Sequence, residues 1–214
     1  DDWIVEFHKT RQVGRPFSVP CHFVNGLTVS GRGHVFLDGR LLMAPELLPA
    51  YWKHAILEHG VPDIDRERSL PVRTIEGPCI VFMGWGESTY GHFLLEALPR
   101  LLIARKALGE RFANAAMLIP TNAGAWLLPM IESALGYGMP KVEWYDPDIE
   151  QIHIAEAVLT TLPAADGCLH PALCPLLDEA RHRLIGRLPG ERLVEKLFVT
   201  RAYFDNPLSE RRRC

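Results

Sequence analysis

The feature that most limits what this chain can fold into is a change of hydrophobic period near residue 78. Cys79-Ile80-Val81-Phe82-Met83 is an unbroken apolar run, the pattern of a strand covered on both faces. Soon after it, apolar residues from Leu94 to Leu108 recur at helical spacing. The alternation continues, with strands predicted over Ala116–Ile119, Val142–Tyr145, Ala157–Leu162 and Leu197–Thr200. Helices are predicted over Ala123–Leu135 and Leu173–Leu188. Strands separated by helices imply βαβ units and a parallel sheet, which in turn puts ligand sites at the carboxyl ends of the strands.

Residues 1–75 follow a different rule. Short β-like runs, Cys21–Val24, Leu27–Ser30, His34–Leu37 and Leu41–Met43, are separated in part by Asn25-Gly26 and Asp38-Gly39. Both dipeptides tolerate positive φ and signal hairpin turns, so a small antiparallel meander is predicted. Tyr51–His59 reads as a short helix and Val61–Pro71 as a charged, proline-containing loop. The organisation expected is a β-rich segment over 1–75 packed on an α/β core over 76–214.

Composition excludes several classes. With 48% hydrophobic residues in 214, the chain can bury a proper core, and a net charge of −3 lacks the basic excess of a nucleic-acid binder. The longest apolar stretch, Phe93 to Ala104, is broken by Glu96, Pro99 and Arg100, so it does not read as a membrane span. The opening DDWIVEFHKTR is mixed and acidic, unlike a secretory leader, and a cytoplasmic location is expected. Cysteines 21, 79, 168, 174 and 214 form no even framework and read as reduced thiols. Cys168, His170 and Cys174 have uneven spacing for a structural zinc, and His170-Pro171 reads better as a helix start. No metal site is expected.

The segment from Ser88 to Ala104 carries the candidate chemistry. On a helix, Leu94, Leu95, Leu98, Leu101 and Leu102 fall on one face, while His92, Glu96 and Arg100 line up on the other at i, i+4 and i+8. Pro99 removes one backbone hydrogen bond and predicts a kink. The polar row has two readings. It is a solvent-facing ladder, or it is a site in which the carboxylate orients the imidazole for general-base work. The position after a buried strand and the glycines 84 and 86 favours a site. Gly86-Glu87-Ser88-Thr89-Tyr90-Gly91 also suggests a nucleophile elbow, but Tyr90 occupies the place where that turn needs glycine. Ser88 or Thr89 reads better as a helix N-cap than as a nucleophile.

Tyr90-Gly91-His92-Phe93-Leu94-Leu95-Glu96-Ala97-Leu98-Pro99-Arg100-Leu101 resembles the signature helix of glycosyltransferase family 61. Leu197-Phe198-Val199-Thr200-Arg201 and Glu210-Arg211-Arg212-Arg213 resemble later parts of the same pattern. The resemblance implies a Rossmann-like domain, the N-terminal, acceptor-side half of a GT-B fold. The donor-binding half would follow residue 214. It implies inverting transfer of a sugar from a nucleotide-sugar donor to a glycan or other hydroxyl acceptor, with no further cofactor. In that reading His92 or Glu96 is the base. Arg100 holds Glu96 or an acidic acceptor, Arg201 and Arg212 meet the diphosphate, and Trp85 and Tyr90 stack on a sugar. Peripheral contact with a membrane and the oligomeric state stay open. The alternatives are a glycan- or protein-binding module of the same fold and, more remotely, a serine hydrolase using Ser88.

Overall fold

The computed structural model describes residues 4–6, 21–31, 33–43, 64–82, 90–161, 164–165, 168–169 and 173–186. It is an α/β fold built on one mixed sheet. The strands are β1 (Ile4–Glu6), β2 (Cys21–Ser30), β3 (His34–Leu37), β4 (Arg40–Met43), β5 (Val72–Val81), β6 (Ala116–Pro120), β7 (Lys141–Tyr145) and β8 (Gln151–Thr160). Their order across the eight-stranded sheet is β1-β4-β3-β2-β8-β5-β6-β7. A separate two-stranded ladder joins β9 (Ala164–Ala165) to β10 (Cys168–Leu169).

Strands β8, β5, β6 and β7 run parallel to one another, as strand–helix alternation implies, and β1 also pairs parallel with β4 at the far edge. The first four are compatible with a Rossmann-like arrangement. The sheet is not parallel throughout, however, because β8 pairs antiparallel with β2 on its other side. The described strands before residue 75 are therefore hydrogen-bonded into the same sheet, and β5, starting at Val72, runs through the boundary read from the sequence.

Asp38-Gly39 makes the turn its sequence predicts, with φ of 51° and 73° at the two residues joining β3 to β4. Asn25-Gly26 does not make a hairpin. β2 runs unbroken through it, and residues on both sides pair with β8, from Cys21↔Thr160 to Val29↔Ile152. Gly26 does adopt a positive φ, 73°, but uses it to change the step of the strand. Val24 before it and Leu27 and Val29 after it all reach the same core, which simple two-residue alternation forbids. β8 changes step at the same level, between Ile154 and Ala157. β5 has its irregularity there too, between Ile75 and Pro78, where a bulge accommodates a proline without an N–H.

These three positions make a fold line across the sheet. On one side, Ile80, Phe82, Met117, Ile119 and Val158 face the helices. On the other, Cys79, Val81, Leu118, Ala157 and Leu159 are covered by Leu27, Val29, Val35, Leu42, Ile152 and Ile154 from the far half of the same sheet. The sheet thus folds over its own second face, where a doubly wound fold would carry more helices. The closure is polar at its edge. Tyr145 Oη donates to Gly31 O at 3.0 Å, and Arg73 donates to Glu150 at 2.8 Å and to Trp144 O at 2.6 Å.

Helix α1 (Ile64–Ser69) lies where a loop was expected. It has no buried residue and no apolar stripe, so periodicity does not reveal it. Polar contacts hold it instead. Gln151 Nε2 donates to the carbonyls of Arg68 and Leu70, and Glu67 accepts from Ser30 Oγ at 3.2 Å. His34 Nδ1 lies 2.6 Å from the same Glu67 carboxylate. Gly31 admits that carboxylate, since a Cβ there would overlap it.

The helical layer comprises α2, which starts at Tyr90 and ends at Leu108, α3 (Leu127–Leu135) and α4 (Cys174–Gly186). The helix read over 51–59 and the strand read over 197–200 lie outside the described residues.

Candidate functional site

Helix α2 has three stretches: Tyr90–His92 is α-helical, Phe93–Ala97 is a π-turn and Leu98–Leu108 is α-helical again. Pro99 accounts for the middle one. It has no N–H, and in a regular helix its ring would strike the carbonyl of Leu95. The wider turn relieves that clash, with Leu98 N–H reaching back to Phe93 O. The kink read from Pro99 is thus taken up as a π-turn.

The wide turn also rotates the faces. Phe93, Ala97, Leu98 and Leu101 are buried, while Leu95 is 54% exposed. The predicted stripe that included Leu95 is corrected on this point. Arg100 is the counterpart error. It does not continue a surface ladder but turns inward, to 4% exposure, and donates from Nε to Thr160 O at 2.8 Å. Burial pushes its guanidinium down to about 10, opposed by the negative charge of Glu96, so it is a cation at neutral pH.

His92 and Glu96 do pair. His92 Nδ1 is 2.6 Å from Glu96 Oε1, with the side chains 38% and 23% exposed. Thr160 is the last residue of β8, which runs parallel to β5. The Arg100 contact therefore ties this helix to the carboxyl end of the parallel strands, where α/β sheets bind ligands.

Tyr90 is exposed but lies on another flank. Two helical residues turn through about 200°, so Tyr90 and His92 point away from each other. Tyr90 packs edge-on against Trp126, with ring centroids 5.4 Å apart, and Phe93 does the same at 5.4 Å. Trp126 follows β6 and precedes α3. The sequence reading missed it, although Gly124, where a Cβ would overlap the indole, marks the close approach. Trp85, Ser88, His170, Arg201 and Arg212 lie outside the described residues, so the structure brings together His92, Glu96 and Arg100 and sets Tyr90 to one side.

No family model, curated protein or solved structure matches the chain. Among the described residues no cluster of three His, Cys, Asp or Glu could hold a metal ion, and no helix is long and apolar enough to cross a membrane.

Proposed function

We propose that this chain is the acceptor-side part of an inverting, metal-independent glycosyltransferase of GT-B type. The observation that carries the reading is the 2.6 Å contact between His92 Nδ1 and Glu96 Oε1. It falls inside the segment that resembles the family 61 signature, at the carboxyl end of the parallel strands. With Nδ1–H directed to the carboxylate, Nε2 is the nitrogen that takes a proton. Glu96 holds the ring in the orientation in which Nε2 can take the proton of the acceptor hydroxyl. Arg100, behind Glu96, keeps positive charge beside it. Arg201 and Arg212 would meet the donor diphosphate, with the nucleotide-sugar held mainly by a further domain.

The test is transfer from nucleotide-sugars by the longest protein that contains this chain, with His92→Ala and Glu96→Ala each compared with wild type. Loss of general-base action lowers turnover by about 10²–10⁴-fold. Wild-type turnover in both variants would refute the site. Glycan binding without any turnover would point to a binding module of the same fold.

A further inference from the structure

At the helix-facing end of β8, the packing of the core leaves two polar groups unused, one on the strand and one on α2. Val158 belongs to the helix-side core, and two-residue alternation puts the Thr160 side chain on the same face. Thr160 is 0% exposed, and its Oγ1 has no hydrogen-bond partner. A buried hydroxyl without a partner destabilises a fold, and valine would fill the same space without that penalty. Beside it, Arg100 uses Nε on the Thr160 carbonyl, and its Nη fork makes no hydrogen bond to a described residue. A guanidinium fork is the group best shaped to take two oxygens of one anion.

Exposure falls steadily along this row, from His92 through Glu96 to Arg100 and Thr160. A small anionic group entering past His92 would pass the Glu96 carboxylate, whose charge Arg100 opposes, and then meet the guanidinium and the hydroxyl. There it would be shielded from water, where charge-assisted hydrogen bonds are strong. We infer that Arg100 and Thr160 form an oxyanion-binding subsite, which accepts the carboxylate of an acidic sugar or a phosphate group. The subsite rests on these two residues and not on sugar transfer, so it stands or falls separately from the proposed reaction.

The experiment is calorimetric titration of the 214-residue chain with sodium glucuronate, inorganic phosphate and, as the neutral control, glucose, all at one ionic strength. Thr160→Val, Thr160→Ser and Arg100→Lys are compared with wild type, and each protein is also melted without ligand. The expected result is binding of at least one anion and none of glucose. Thr160→Val should melt higher than wild type yet bind the anion about tenfold more weakly or worse, the loss of one hydrogen bond to a charged group. Thr160→Ser, which keeps the hydroxyl, should bind like wild type, and Arg100→Lys should weaken binding by losing the fork. Glucuronate binding without phosphate assigns the subsite to a sugar carboxylate, and the reverse assigns it to a phosphate. Binding of neither anion, or equal binding by Thr160→Val and Thr160→Ser, would overturn the inference.

Discussion

Gly31→Ala is expected to be among the most damaging single-methyl changes in the curled half of the sheet. The position is constrained in two ways. Its φ is 52°, in the left-handed region, and the space a Cβ would take is filled by the Glu67 carboxylate. Placing alanine in that conformation costs about 1–2 kcal/mol. Displacing Glu67 from Ser30 and His34 costs about 1.5–3 kcal/mol more, the range for hydrogen bonds to a charged group. The total, about 2.5–5 kcal/mol, corresponds to a fall in Tm of roughly 5–20 °C for a chain of this size. The assay is urea and thermal unfolding of Gly31→Ala, Glu67→Ala and the double variant. With the carboxylate gone, the alanine retains only its backbone penalty. The double variant should therefore be more stable than additivity predicts by about 1.5–3 kcal/mol. If Gly31→Ala costs the same with and without Glu67, the close approach of the carboxylate is not what makes glycine necessary.

Two further outcomes concern titration. Hydrogen bonds from Arg73 hold the Glu150 carboxyl below its ordinary 4.5. That contribution is complete above the unfolded value and is lost as pH falls through the lowered folded one. Glu150→Gln should therefore flatten the acid side of the stability profile, modestly because Arg73 is partly exposed; an unchanged acid limb would contradict the pairing. Burial pushes the Cys79 thiol up to about 12, whereas Cys174 is exposed. Iodoacetamide at pH near 8 should label Cys174 in the native protein and reach Cys79 only after unfolding, since the thiolate is the reactive form. Peptide mapping that finds both labelled at one rate would refute the buried position of Cys79.

How much was legible in the sequence depended on whether a signal was local. The core strands are apolar in sequence, so β5, β6, β7 and β8 were found. The starts of β5 and β7 were missed at exposed residues, and that of β8 at Gln151, where polar residues interrupt the buried Ile152 and Ile154. Asp38-Gly39 was read correctly because its two neighbours pair with each other. Asn25-Gly26 carries the same signal, yet β8, distant in sequence, pairs with both of its flanks and turns a hairpin into a fold line. Helix α1 is held by polar contacts from β2, β3 and β8, which no hydrophobic period can announce. In the site, the spacing of His92 and Glu96 gave their contact directly. Arg100 was misplaced because an ideal helix was assumed across Pro99, and the π-turn moves every face beyond it. Trp126 lies between β6 and α3 and Thr160 ends β8, and only the tertiary fold brings them to α2.

The central position of β8 bears on how the chain matures during synthesis. Thr28 and His153 are paired neighbours in the sheet but 125 residues apart in the chain. Until the ribosome has released β8, both β2 and β5 present bare backbone edges to solvent. Such long-range closure slows folding and leaves templates on which other chains can add strands. A nascent chain stalled before residue 151 would thus be the species most dependent on chaperones, and release of a single strand would join its two halves.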